Sequence, residues 1–291
     1  MAKVRNSAHT MRSGRIGENS WYIRGGEQIV RQRLQNSNYG ASARRSEAQQ
    51  LRRSKWGNLV NFYKAIKSWQ PKAYEGLKPG QTDYNAFMSL NANSTLIYLT
   101  RQLVEAGGAV VGAFAVSKGS LPSLGAIKAT GAVGLAIPTA DDNAYPYGLT
   151  VGNLSDALMG DHMEMENGDN LAFIAFYNEK DSNNIPRCSC LYKEVTIQHG
   201  SSIQLATMGI TATKAEASDP ITLAWGSEAG KTPVAFAIIW AKPAAGGLKV
   251  SSEHIVMYTS TLVDEYSSNN AAAAAVASYG VDADVPLMPG E

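Results

Sequence analysis

Residues 226–232, with the sequence Gly-Ser-Glu-Ala-Gly-Lys-Thr, come nearest to a recognised nucleotide-binding motif. A phosphate-binding loop needs four residues between its first Gly and the Gly-Lys-Thr triplet, and it leads into a helix whose N-terminus meets the phosphates. Only three residues separate Gly226 from Gly230, and Pro233 and a β-prone run follow Thr232. We therefore predict a turn between two strands at this position.

A second candidate for chemistry is the His-x-Glu pair of His162 and Glu164, which has Asp161, Glu166 and Asp169 close by in sequence. Zinc would need further ligands at suitable spacing, and the calcium-loop pattern does not fit either. Alternating Met and Glu residues before the Asn-Gly pair at 167–168 instead indicate a half-exposed strand that enters a hairpin. The sequence therefore predicts no metal site.

Nucleophilic catalysis finds no support in the sequence. The four histidines are scattered, no Gly-x-Ser-x-Gly elbow is present, and Cys188 and Cys190 are not in a Cys-x-x-Cys arrangement. We expect these cysteines to lie on opposite faces of one strand and to form no disulfide. Two thiols and a start without an apolar secretory segment are typical of a reducing cytoplasm. We predict no catalytic residues, no cofactor and no enzymatic activity.

Charge is the strongest signal, because it is distributed unevenly along the chain. Residues 1–72 hold 15 of the 26 basic residues but only three of the 25 acidic ones, a net charge of +12. The remaining 219 residues hold 11 basic and 22 acidic residues, a net charge of −11. A segment this basic is typical of chains that contact nucleic acid or the acidic body of a neighbouring copy. We favour contact between subunits over contact with nucleic acid.

Residues 1–45 are predicted to form an extended basic arm. Arg, Asn, Gln, Ser and Gly dominate this segment, so it cannot bury enough apolar surface to fold alone. The aromatic patch that precedes Gly25-Gly26 predicts a short strand or hairpin. As residues that contact other subunits we predict Arg15, Trp21, Tyr22, Arg24, Arg31, Arg33, Arg44, Arg45, Arg52 and Arg53.

Residues 46–106 show helical periodicity. Ser46 and Gln49 have the spacing of a capping box, and an apolar side that includes Trp56 then recurs at helical spacing until Pro71 ends the helix. A second helix is predicted to begin at Thr82 or Asp83. A third is predicted over 96–105, before the glycines at 107–108.

Residues 107–266 are predicted to form an antiparallel β body, a sandwich or a barrel. Runs of β-prone residues separated by Gly, Pro, Asn and Asp predict strands at 109–117, 133–137, 170–178, 190–198, 221–225, 234–241 and 253–263. Residues 267–291 are predicted to be a C-terminal extension that starts with an Ala-rich helix. The fold class is therefore α+β. No apolar run is long enough to cross a membrane, so we expect no membrane contact.

Several short motifs follow one another along residues 12–125. They are Gly-Arg-Ile-Gly at 14–17, Trp-Tyr-Ile-Arg-Gly-Gly at 21–26, Val-Arg at 30–31, a Ser-x-x-Gln helix from 46, Tyr-Asn-Ala-Phe at 84–87 with Asn91, and Ser-Lys-Gly-Ser-Leu-Pro at 117–122. This order resembles an uncharacterised domain family that is widespread in Bacteroidota and their phages; the rest of the chain resembles it only in general pattern. The resemblance implies no catalytic residues. Since similar chains are expected near tail and neck genes of crAss-like phages, it implies a virion ring or neck protein between portal and tail.

The leading expectation is therefore a homo-oligomeric ring subunit of a tailed-phage virion, assembled in the cytoplasm of the bacterial host and in contact with portal, neck or tail proteins. One alternative is a nucleic-acid-binding protein that uses residues 1–72 for non-specific contact with DNA. Another is a bacterial β-sandwich module that holds a ligand between loops such as 138–148 and 179–187. The missing export segment counts against this last alternative.

Overall fold

A computed structural model describes residues 2–4, 14–16, 19–24, 27–32, 47–68, 73–78, 80–94, 96–129, 131–136, 145, 148–216, 219–227, 231–245, 247–258 and 261–280. These residues contain both helices and antiparallel sheets, so the α+β class is confirmed. None of the helices in these ranges is long and apolar enough to cross a membrane.

The N-terminal segment contains four short strands: β1 (Ala2–Val4), β2 (Gly14–Ile16), β3 (Asn19–Arg24) and β4 (Glu27–Gln32). They pair in the order β1-β4-β3-β2, and each pairing is antiparallel. β3 pairs antiparallel with β4, and Arg24 lies opposite Glu27, so the hairpin expected there is confirmed. Backbone pairing thus organises the described residues of the predicted arm into a sheet.

Three helices follow: α1 (Glu47–Ile66), α2 (Asp83–Asn91) and α3 (Arg101–Glu105). The hydroxyl of Thr82 accepts a hydrogen bond from Asn85 N at 3.3 Å, which confirms the predicted start of α2. The helix predicted over 96–105 is shorter than expected. Thr100, itself extended, caps α3 by accepting a bond from Leu103 N at 3.4 Å, and residues 96–99 are not helical.

The strand predicted at 109–117 is wrong. Residues 109–116, here called the strap, join no sheet and make one isolated bridge, between Ala115 and His254. Side-chain amides take the place of a neighbouring strand. Asn58 of α1 accepts from Val110 N at 2.7 Å and donates to Val110 O at 3.0 Å. Asn91 of α2 accepts from Ala115 N at 2.8 Å and donates to Ala115 O at 2.9 Å. The buried N–H and C=O groups of Val110 and Ala115 are thereby satisfied without a strand ladder.

The body contains two antiparallel sheets. The strands β5 (Ala126–Ala129), β6 (Ala132–Leu135), β9 (Ile210–Thr213) and β10 (Ile221–Trp225) form the first sheet, in the order β5-β6-β10-β9. The strands β7 (Asn170–Lys180), β8 (Pro186–Thr196), β11 (Ala235–Ala244) and β12 (Gly247–Val250) form the second, in the order β12-β11-β7-β8, and β13 (Val256–Met257) also pairs with β11. The strands predicted within 133–241 all overlap strands of these sheets and are confirmed.

The helices of the body are α4 (Val151–Asp161), α5 (Thr261–Ser267) and α6 (Asn269–Gly280). Two of these helices, α4 and α5, were not predicted from the sequence. Helix α4 begins with a capping box between Thr150 and Asn153. Because α5 begins at Thr261, the strand predicted at 253–263 shrinks to the two residues of β13. The Ala-rich helix expected after 267 is confirmed as α6.

The second sheet lies in the middle of the body, because both of its faces are buried. On β7, Leu171, Phe173 and Ala175 belong to an apolar cluster shared with the first sheet and α4. The alternate residues, Ala172, Ile174 and Phe176, belong to a second cluster shared with α1, α2 and the strap. This two-sided burial explains why β7 is apolar along nearly its whole length.

Two local expectations on the body are wrong. The Asn-Gly pair at 167–168 does not join two strands, because residues 163–168 form turns between α4 and β7. Cys188 and Cys190 lie on one face of β8, since side chains two residues apart on a strand share a face, and both pack against the cluster that contains α1. Neither of these two cysteines forms a disulfide, and burial raises the pKa of the Cys188 thiol.

Candidate interaction surface

Five of the ten predicted contact residues lie in the N-terminal sheet: Arg15 in β2, Trp21, Tyr22 and Arg24 in β3, and Arg31 in β4. The strand register places Arg15 opposite Ser20 and Ser20 opposite Arg31, so two arginines flank one serine in a single row across three strands. Arg31 is exposed and Trp21 is half-buried. Three further predicted residues, Arg33, Arg44 and Arg45, lie outside the described residues.

The last two predicted residues, Arg52 and Arg53, lie together on the exposed side of α1. With Gln49 and Trp56 they line a groove of about 420 Å³, here called the α1 groove. Trp56 is 38% exposed, whereas its helical spacing had placed it with the apolar, buried residues. The Arg53 guanidinium donates to Gln50 Oε1 at 3.4 Å, within the first half of the same helix.

The polar residues of α1 that look like surface residues in the sequence are in fact buried, and this explains which side of the helix is exposed. Ser54 donates to Leu99 O at 2.8 Å, and Asn61 donates to Val104 O and to Gly108 O, each at 2.9 Å. With these contacts made toward the strap and α3, the arginines and Trp56 remain on the solvent side. Glu47 is the only acidic residue of α1, so this side of the helix is strongly basic.

The last turn of α6 lies beside the α1 groove. Ser278 Oγ accepts a hydrogen bond from Arg101 N at 2.9 Å, which holds the end of α6 against the first turn of α3. Burial raises the pKa of Tyr279, Glu105 raises it further, and Arg101 and Arg53 oppose that rise. The chain therefore leaves α6 within the electrostatic reach of Arg53.

A second groove, of about 390 Å³, lies between α2 and the segment at 117–122. Glu75 accepts bonds from Ser120 N at 2.7 Å and from Ser120 Oγ at 2.9 Å, and the Ser120 backbone bond is the main reason that the pKa of Glu75 is lowered. Lys118 is exposed at the rim. Gly119 is required here, because a Cβ would lie 2.1 Å from Val250 O. These contacts anchor a turn to the body.

Three of the residues weighed for metal or nucleotide chemistry are occupied by structural contacts. Asp169 accepts from Trp240 Nε1 at 2.8 Å, and Glu166 pairs with Lys242 at 2.9 Å. Lys231, from the Gly-Lys-Thr run, pairs with Glu179 at 2.9 Å between β10 and β11. In the described ranges, no group of three or more His, Cys, Asp and Glu side chains could hold a metal ion.

One polar pair had no signal in the sequence. His199 Nδ1 lies 2.6 Å from Asp156 Oδ1, although 43 residues separate the two in the chain. The His199 backbone N–H donates to Asn167 at 2.7 Å, so the pair ties the segment after β8 to α4 and to the turn before β7. Both side chains are exposed to solvent, and the contact joins three chain segments.

Comparison of the chain with known proteins identified no relative. No family model, no curated protein and no solved structure matches the chain. What the surface can do therefore follows from its own chemistry. Two guanidinium groups beside an indole suit a partner that brings carboxylates or phosphates together with apolar or aromatic groups.

Proposed function

We propose that the chain is a structural subunit of a homo-oligomeric ring in the portal, neck or tail region of a tailed-phage virion, and not an enzyme. The N-terminal sheet is the observation that carries this proposal. Its strands pair with one another, yet Trp21, Ile29 and Val30, the apolar residues of this sheet whose side chains the structure describes, belong to neither apolar cluster of the body. Short strands with so little buried apolar surface need further contacts for stability. The acidic surface of a neighbouring copy has the complementary charge.

The virion part of the proposal is supported by the motif order quoted above and by what the motif residues do. Asn91, from the second half of the motif set, holds the strap through Ala115. Ser117 donates to Ser251 O at 2.7 Å, and Ser120 is held by Glu75. These residues make packing and hydrogen-bonding contacts within the body. Motifs of this kind suit a protein with a structural role. Such a protein would be assembled in the host cytoplasm and retained in the virion.

We further propose that the two sheets of the body form a β-sandwich. Val133 of the first sheet and Phe173 of the second belong to one apolar cluster, which also includes Leu223 and Ile238. Shared burial between two antiparallel sheets is the usual basis of such an arrangement.

The size of the purified assembly tests the proposal. Mass photometry of the full chain should show one closed ring, and a chain that lacks residues 1–45 should remain folded by circular dichroism but become monomeric. Normal rings from the truncated chain would contradict the proposal. A shortened chain with residues 46–72 intact retains Arg52 and Arg53, so the result isolates the contribution of the N-terminal sheet.

A second candidate function is non-specific binding to nucleic acid, favoured by the exposed Trp56 that lines the same groove as Arg52 and Arg53. Arginines can contact phosphates, and an exposed indole can stack on a base, so these three side chains together suit nucleic acid. Titration of a fluorescent DNA oligonucleotide at about 50 mM salt should then show binding that weakens steeply as salt rises. No binding at low salt would remove this candidate.

A further inference from the structure

The α1 groove is an open, basic and partly apolar site. Arg52, Arg53 and Trp56 are all exposed, and the groove has a volume of about 420 Å³. Glu105, which acts on Tyr279 together with Arg53, is engaged in an ion pair with Arg101 at 2.8 Å. An occupant of this groove should carry carboxylates or phosphates beside apolar groups.

Residues 281–291 have this chemistry. Their sequence is Val-Asp-Ala-Asp-Val-Pro-Leu-Met-Pro-Gly-Glu, with three acidic residues, no basic residue and four larger apolar residues. The segment lies outside the described residues and directly follows α6. Because α6 packs against α1 and its last turn is held to α3 by the bond from Arg101 N to Ser278 Oγ, the segment begins beside α1.

We propose that residues 281–291 dock in the α1 groove of their own chain. Asp282 and Asp284 pair with Arg52 and Arg53, and the apolar residues at 285–288 cover the Trp56 indole. An extended segment of this length spans up to about 36 Å, far more than the distance that one helix groove requires. The docked segment shields a basic surface from other anionic partners.

Two physical features favour docking within one chain. Attachment to α6 keeps the segment at an effective concentration of the order of millimolar, so weak individual contacts suffice. Pro286 and Pro289 restrict the free segment, which lowers the conformational entropy lost on docking. Guanidinium–carboxylate pairs add geometric specificity that a lysine surface would lack.

The test uses the chain truncated after Gly280 and a fluorescent peptide of residues 281–291. Fluorescence anisotropy should show that the peptide binds the truncated chain and binds the full chain at least about tenfold more weakly, because the attached segment already occupies the groove. Absence of binding to the truncated chain at about 1 mM peptide, or equal binding to both chains, would overturn the proposal.

Charge reversal locates the site. Arg52→Glu with Arg53→Glu in the truncated chain should weaken peptide binding at least tenfold, and a peptide with Asp282→Asn and Asp284→Asn should lose a similar factor on the unchanged chain. Lys67→Glu is the matched control, because Lys67 is an exposed cation just beyond α1 and away from the groove, and it should change binding by less than about twofold. A loss from Lys67→Glu equal to that from Arg52→Glu with Arg53→Glu would contradict docking in the groove.

Other occupants give different results. If truncation reduces the number of subunits in the assembly, the segment links neighbouring copies, and docking within one chain is wrong. If a DNA oligonucleotide binds full and truncated chains equally well and the peptide binds neither, the groove takes nucleic acid and the proposal fails. Oligomerisation of the full chain is measured separately by mass photometry. The ring proposal and the docking proposal can therefore fail independently.

Discussion

Replacing Asn58 with alanine should destabilise the body by several kcal/mol. The Asn58 amide is the hydrogen-bond partner of both the N–H and the C=O of Val110, at 2.7 Å and 3.0 Å. Asn58 is 1% exposed and Val110 is fully buried, so water cannot replace the lost amide. An unsatisfied buried backbone group costs about 1–3 kcal/mol, and two such groups together give about 2–6 kcal/mol.

Urea unfolding followed by circular dichroism, at one protein concentration for all variants, measures this loss. Asn93→Ala is the matched control, because Asn93 is an exposed asparagine just after α2, and its loss should change the free energy of unfolding by less than about 0.5 kcal/mol. Asn58→Asp keeps an acceptor for Val110 N–H but turns a carboxylate oxygen toward Val110 C=O, so it should not rescue stability. A loss below about 1 kcal/mol for Asn58→Ala would refute the reasoning that amides replace a strand ladder at the strap.

Three further changes test other parts of the fold. Burial raises the pKa of Glu253 above its ordinary value of 4.5, so the folded chain binds this proton more tightly than the unfolded chain, and stability should fall as pH rises through the raised pKa. The urea midpoint of Glu253→Gln minus that of the unchanged chain should therefore increase with pH. Midpoints of the two chains that change in parallel with pH would contradict this. Gly119→Ala should lower the free energy of unfolding in urea by about 1–3 kcal/mol, because its Cβ would clash with Val250 O. An unchanged urea midpoint would show that the turn can move to accommodate the Cβ. Trp240→Phe removes the 2.8 Å donor to the buried Asp169 carboxylate and should cost about 2–4 kcal/mol, whereas a loss below 1 kcal/mol would mean that Asp169 is satisfied by its other bond, from Glu166 N.

Local signals predicted those elements whose ends or faces are set by nearby residues. Thr82 marks the start of α2 because its hydroxyl caps the helix, and the apolar runs of β7 and β11 mark strands that are buried on both faces. The prediction of a strand at the strap was wrong for the opposite reason. Its apolar, β-prone residues carry no mark of the asparagines on α1 and α2 that supply its hydrogen bonds from far along the chain.

The interaction surface was predicted in composition but not in position. The charge count identified Arg52 and Arg53 as candidates, since unequal charge is readable without a structure. Their neighbour Trp56 was assigned to the wrong side of α1, because the buried side is formed partly by Ser54, Asn58 and Asn61, which periodicity counts as polar. The approach of α6 to Arg53 depends on a contact between residues 177 positions apart and had no local signal.

The size and symmetry of the purified full-length protein test the central claim most directly. Cryo-electron microscopy class averages, with mass photometry at matched concentration, give both quantities. The account predicts a closed ring of cyclic symmetry in which the N-terminal sheet of one subunit contacts the acidic body of the next. A monodisperse monomer at micromolar concentration would contradict it.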